Sequence, residues 1–444
     1  MTHTGRRPSV PSPCTHVAFA LAVLLSCFLP GLPIDAHAQG RTLVVTPFER
    51  KFKIAIQPLV GDTADAMALG KQIADVVSRD LDFTGIFQPL NPASFLEDPR
   101  QVENVDFQTW RSIGAEALVK GSVVDTDGRI AVEARIFDVY KGQRVVGKRY
   151  SGDARDWRQI AHKLANEIFK YFTGDDGVFD SQIAFAGKPT RGAKEIFVAD
   201  FDGSNVTQVT RNASINNFPK WSDDGSRLCF TSFKRGHPTL YLIGRGTRGA
   251  RALRPSSVIY QGSWSPKGDL LAVAGLVGGN SEILLLSSGG LSFTRLTSHP
   301  AIDTAPTWSP DGSKILFVSD RSGSPQIYVM NADGSGQHRL SFQGSYNVHP
   351  VWSPKGDRIV YAGMVGGRFD IFTMKPDGSN VVQLTSSGNN EYPSWAPNGR
   401  QITFQSGRGA RTGIYVINAN GTNLRRIASA PEGATAPDWS GHIP

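Results

Sequence analysis

Six tryptophans recur through the later part of the chain, at Trp221, Trp264, Trp308, Trp352, Trp395 and Trp439. Their spacings are 43, 44, 44, 43 and 44 residues. Around them runs a Pro-x-Trp-Ser-Pro-Asp/Lys-Gly pattern, clearest in Pro306-Thr307-Trp308-Ser309-Pro310-Asp311-Gly312 and Pro350-Val351-Trp352-Ser353-Pro354-Lys355-Gly356. Pro219-Lys220-Trp221-Ser222-Asp223-Asp224-Gly225 and Pro393-Ser394-Trp395-Ala396-Pro397-Asn398-Gly399 are variants of it. A period near 44 residues that holds several short strands is the signature of a β-propeller blade.

Each repeat parses into four strands. Strand A carries the tryptophan, and the Gly-containing turn after it has hairpin chemistry. Strand B follows at 228–232, 271–275, 315–319, 359–363 and 402–406, and strand C at 240–244, 283–287, 327–331, 371–375 and 414–418. A second turn, such as Asp377-Gly378, leads to strand D. Residues 183–187 and 196–200 match strands B and C with no tryptophan motif before them, whereas Trp439 has its motif and only five residues after it. These two incomplete repeats fit one blade. The expectation is an all-β six-bladed propeller over 180–444, closed by pairing its first and last segments, because one 44-residue sheet cannot bury both faces alone.

The front of the chain has another texture. A strand-like run begins at Phe52. Asp62 is placed to cap a helix with Leu69, Ile73, Val76 and Val77 on one face. Strands at 117–124 and 130–139 flank Asp127-Gly128, a hairpin signal. Trp157, Ile160, Leu164, Ile168 and Tyr171 trace the buried stripe of a last helix. These features predict a small α/β domain over 39–175, with a linker at 174–177.

Residues 1–38 read as a secretory signal: Arg6 and Arg7, an apolar run at 17–29, and Ala36-His37-Ala38 as a cleavage site. No later segment is long and apolar enough to insert into a membrane. Cys14 and Cys27 leave with such a leader, so Cys229 alone stays and no disulfide or thiol metal site is expected. The net charge of +8 becomes +7 without the leader. Basic residues are scattered and not in runs, which argues against nucleic acid and for acidic protein surfaces.

No Gly-x-Ser-x-Gly elbow occurs, the histidines never pair at metal spacing, and the stretch 244–249 has arginine where a phosphate loop needs Lys-Ser/Thr. Asp200-Phe201-Asp202-Gly203 lacks the other ligand positions of a calcium loop. The expectation is a binding protein with no catalytic residue, cofactor or metal. Strand polarity puts the B–C and D–A loops on one face and the A–B and C–D turns on the other. The front domain is expected on the turn side, because the linker enters there. The open mouth then presents Asn217, Tyr260, Gln261, Asp303, Thr304, Asn347, His349, Glu391 and Tyr392, the polar and aromatic residues just before the tryptophan motifs. Its B–C loops carry Lys188, Arg191, Lys194, Lys234, Arg235, Arg321, Arg368, Arg408 and Arg411. Loops converging from every blade suit partner binding. Arg41, Thr42, Leu43, Val44, Val45 and Thr46 form a short β-prone run ended by Pro47. It fits an edge strand of its own domain, or a strand donated to a partner's sheet.

A secretory leader, an α/β domain and six Pro-x-Trp-Ser-Pro-Asp-Gly repeats ending on Trp439-Ser440 together resemble the TolB family, periplasmic propellers of the Tol–Pal envelope system. The resemblance implies two partners. Pal, a peptidoglycan-associated outer-membrane lipoprotein, would bind the propeller mouth, with Gln261 and Thr304 at family contact positions. TolA, an inner-membrane protein, would bind the strand 41–46. It further implies a periplasmic location and a role in outer-membrane integrity and constriction at division. Gly262 in place of the motif proline, Ser288-Gly289-Gly290 in place of an Asp-Gly turn, and the early Pro47 depart from the pattern. The alternative is a secreted propeller enzyme or ligand-binding protein unrelated to Tol–Pal.

Overall fold

A computed structural model describes residues 50–189, 192–247, 249–254, 258–290, 293–408 and 411–443. The leader, the run 41–46 and Arg191 lie outside them.

The front domain is built on a mixed sheet. β1 (Phe52–Ile56) pairs in parallel with β3 (Phe87–Pro89) and β4 (Ala117–Thr126), and β2 (Val60–Gly61) also pairs with β4. β5 (Arg129–Asp138) and β6 (Gln143–Asp153) continue it antiparallel. α1 (Ala64–Phe83) buries Ile73, Val76 and Val77 against the sheet, as their spacing predicts. Its cap is Thr63, whose hydroxyl accepts from the Ala66 N–H, and not Asp62. After the short α2 (Phe107–Ser112), α3 (Trp157–Thr173) buries Ile160, Leu164 and Ile168 and ends on the left-handed Gly174. Tyr171 is exposed, so the buried stripe of α3 is narrower than its apolar sequence. β3, α2 and β6 have no counterpart in the sequence expectation, because short or two-sided polar segments give weak periodicity.

The propeller has six four-stranded antiparallel blades. Blade 1 joins both ends of the domain: Ala434–Trp439 pairs with Gln182–Gly187, followed by Glu195–Asp200 and Thr207–Gln208. Inner strands Asn216–Trp221, Ile259–Trp264, Asp303–Trp308, Asn347–Trp352 and Asn390–Trp395 open blades 2 to 6. The tryptophans wedge between blades. Trp221 packs with Ala184 and Val198 of blade 1 and Phe230 of blade 2, and Trp308 packs with Ala272 and Ala274 of blade 3 and Phe317 of blade 4. The Trp264 and Trp395 indoles donate across the seams to the Lys220 and Val351 carbonyls.

The turn after each tryptophan shows why its sequence alternates. Where Asp follows Ser-x, as in Ser309-Pro310-Asp311, the serine hydroxyl bonds the Asp carboxylate at 2.5 Å. Where Lys stands there, Asp two places later takes over, as in Ser353 to Asp357 at 2.6 Å. Both arrangements tie the same hairpin. At the closing seam Gly203 (φ +85) lies so close to blade 6 that a Cβ would collide with the Ile427 carbonyl.

The front domain docks on the turn face, over blades 5, 6 and 1. The Phe83 carbonyl accepts from Gln401 and Asn423, Arg158 bonds Asp202 at 2.6 Å, and Asp175 holds both Arg400 and Lys355. Phe83 and Phe179 meet Phe201 in one continuous core. The mouth stays uncovered by this domain.

Beside this junction His442 Nδ1 lies 2.8 Å from Asp180. The bond to Asp180 raises the imidazole above its ordinary 6.5. The stability it adds is complete below pH 6.5 and is lost as pH rises through the higher folded value. His442→Gln should therefore lower the melting temperature more at about pH 6 than at about pH 8.5. An equal shift at both would exclude titration of the pair.

Candidate functional site

Every inner strand carries a bulge two residues after its start. The ladder register shifts between Asn217 and Lys220, Tyr260 and Gly262, Thr304 and Thr307, Val348 and Val351, Glu391 and Ser394, and Thr435 and Asp438. At these bulges Phe218, Gln261, Ala305, His349, Tyr392 and Ala436 hold φ between 49° and 61°, a left-handed conformation unusual for these residue types. Each costs on the order of 1 kcal/mol, which the closed ladder on both sides offsets. The bulges turn these residues into the axis, where they line a constriction of about 50 Å³.

Three of them form a stack across it. The Tyr392 ring is 3.8 Å from His349 and 5.6 Å from Phe218. His349 Nδ1 is shut off from solvent without a partner. Burial first, and Lys220 second, push the imidazole down to about 3, so it is neutral at physiological pH. Below the constriction is a chamber of about 460 Å³ walled by the tryptophans, with the Lys220–Asp438 pair at 2.7 Å. Among the described residues no cluster of three His, Cys, Asp or Glu could hold a metal.

The structure separates the sequence-predicted mouth residues into three groups. Gln261, His349 and Tyr392 line the constriction. Asn217, Tyr260, Thr304 and Glu391 are half-buried on the inner strands at the mouth end. Burial raises the Glu391 carboxyl, although Asn389 donates to it.

Asp303 and Asn347 are corrected: they are 0% and 2% exposed and face the seams between blades, so no partner can reach their side chains. Asn347 donates to Gln326, which also accepts from the Ser341 hydroxyl, and Asn216 and Asn390 make the same fastening to Glu195 and Asp370. Asp303 instead takes Arg321 in a two-pronged bond at 3.1 and 3.0 Å. The signal was present in the sequence: Glu195, Gln326 and Asp370 recur 20 or 21 residues before Asn216, Asn347 and Asn390. Sequence reading missed Phe218, because its left-handed position carries no glycine or asparagine to mark it. The basic loops are also partly neutralised, since Lys188 pairs with Glu432 and Arg368 with Asp370.

Comparison with known families gives two matches in chain order. A family profile described as the TolB amino-terminal domain matches residues 41–145, and one described as the TolB beta propeller domain matches 169–443. The chain belongs to the TolB family. Among curated relatives, a "Tol-Pal system protein TolB" of Desulfosudis oleivorans is 38% identical over 62% of this chain and 64% of its own length. One of Anaeromyxobacter dehalogenans is 38% identical over 65% of this chain and 67% of its own. The chain thus matches just under two thirds of the first relative's length. The crystal structure of TolB from Acinetobacter baumannii shares the fold at a TM-score of 0.78 with 24% identity, covering 88% of this chain and 97% of that one. TolB membership overturns the alternative of a propeller unrelated to Tol–Pal. The run 41–46 falls at the start of the TolB amino-terminal match and outside the described residues.

Proposed function

We propose that this TolB-family chain is a non-enzymatic periplasmic component of a Tol–Pal system. Its propeller mouth binds a Pal-type outer-membrane lipoprotein, and its strand 41–46 binds a TolA-type inner-membrane protein. The linkage serves outer-membrane integrity and constriction at division. One observation carries the mouth assignment: the front domain occupies the turn face through Gln401, Asn423 and Asp202, leaving the loops of all six blades free to converge on one opening. Gln261 and Thr304 lie at that end, and both retain solvent contact.

The test is calorimetric titration of the mature chain with the soluble domains of Pal and TolA from the same bacterium. Gln261→Arg with Thr304→Arg should weaken Pal binding by about a hundredfold or more, since two bulky cations would stand in the contact. TolA binding should be unchanged. Unaltered Pal affinity in the folded variant would move the site away from the mouth. Deleting residues 39–46 should abolish TolA binding and leave Pal binding equal or stronger, because only backbone pairing by that strand is removed. Retained TolA binding would overturn the strand assignment.

A further inference from the structure

The mouth rim repeats one backbone arrangement on five blades and a variant of it on the sixth, which allows its blades to be compared position by position. The last residue before the inner strand meets a residue near the end of strand B or just after it. Phe233 N–H bonds the Ile215 carbonyl on blade 2, Leu276 bonds Val258 on blade 3, and Met364 bonds Tyr346 on blade 5. On blade 4 the Ile302 N–H reaches the Asp320 carboxylate. On blades 6 and 1 the same positions are Gly407 with Asn389 and Lys188 with Gly433.

The backbone is thus repeated while the side chains are not. Ile215, Phe233, Leu276, Ile302, Tyr346 and Val365 are exposed large apolar residues, all on the mouth loops or mouth-side strand ends of blades 2 to 5. Ile302 is 52% exposed and Leu276 47%, although one directly precedes and the other lies near the end of a well-packed strand. Phe342, 74% exposed, extends the set outward between blades 4 and 5. Blades 6 and 1 offer glycine, asparagine, arginine and the Lys188–Glu432 pair instead. Exposed large apolar side chains on four consecutive blades, with glycine-rich and charged rims on the other two, make a one-sided apolar arc, a surface of the kind that marks a protein contact. Lys234 and Arg235, next to Phe233, are exposed and make no ion pair among the described residues. The arc therefore suits an apolar ridge flanked by carboxylates.

We infer that the mouth partner docks off the propeller axis, seated on the apolar arc of blades 2 to 5 and not on blades 6 and 1. This rests on the partner-binding reading of the mouth, with which the arc is continuous. The occupant is the Pal-type lipoprotein domain. Its seating is fixed by the arc, because six quasi-equivalent blades would otherwise offer several rotations about the axis. The arc is the element that tells one rotation from another.

The experiment compares rim variants at matched positions, using the full mature chain and the soluble Pal domain of the same bacterium. Phe233→Ser with Leu276→Ser, and separately Ile302→Ser with Tyr346→Ser, should each weaken binding about tenfold or more. Lys188→Ser and Asn389→Ser on blades 1 and 6 should change it less than about twofold. All six sites are exposed, so the melting temperature should stay within a few degrees of the parent in each variant. Loss confined to the axial Gln261/Thr304 variant, with both arc variants binding as the parent, would overturn the arc while the mouth reading stands. Equal losses around all six blades would also overturn it. No binding of the parent chain to Pal would overturn both.

Discussion

A chain lacking residues 434–444 should not form a cooperative propeller. It should be recovered largely aggregated, with no melting transition comparable to the parent. The strand Ala434–Trp439 is the inner strand of blade 1, and its removal uncovers the edge of Gln182–Gly187. Two bonds between Gln182 and Ser440, at 2.8 and 2.9 Å, go with it. Asp438 accepts from Lys220, the Trp221 N–H and Ser394, so a single residue fastens blades 1, 2 and 6 around the axis. Trp439 also belongs to the core that the front domain shares. A closed ring has no weak edge, but an opened one exposes strand edges to other chains. An unchanged thermal transition in the truncated chain would show that the ring does not depend on this closure.

Glu97→Ala should destabilise the front domain by about 3–5 kcal/mol, because it strands a buried cation. The Lys120 side chain is 0% exposed, and its Nζ lies 2.8 Å from Glu97 Oε2. The same oxygen accepts from Trp110 Nε1 at 2.5 Å, and Oε1 accepts from the Asp106 N–H at 3.0 Å. This carboxylate therefore holds together β4, α2 and the loop between β3 and α2. Replacing both members with apolar residues, Glu97→Leu with Lys120→Met, should recover much of the loss, since no charge is then left unpaired. Urea unfolding of the single and double variants measures it. A loss below about 1 kcal/mol for Glu97→Ala would mean the pair behaves like an exposed one.

Nothing in the sequence points to that pair. Glu97 lies in an irregular polar segment and Lys120 in a strand where a lysine reads as facing solvent. Their 23-residue separation matches no local period. The repeat is the opposite case. Trp308 and Ser309-Pro310-Asp311-Gly312 carry their own turn chemistry, so blade number, strand order and ring closure through Trp439 are readable from spacing alone. Strand polarity gave the mouth and the docking side of the front domain for the same reason: antiparallel hairpins fix which ends lie together.

Within the mouth, sequence position identified the inner strands but not which side chains face the axis. A strand read with period two sends alternate residues to opposite faces, and the bulge before each tryptophan motif shifts that register. The shift carries His349 and Tyr392 into the constriction, while Asp303 and Asn347, at the strand starts, lie in the seams. The sequence by itself determined the repeat, its closure and the two-part architecture, because these follow from local turns and periodic burial. Only the tertiary structure decided which mouth residues are accessible, that Lys120 is paired, and that the apolar rim is one-sided. Each of these depends on contacts between strands, blades or loops far apart in the chain, and such contacts have no period to read.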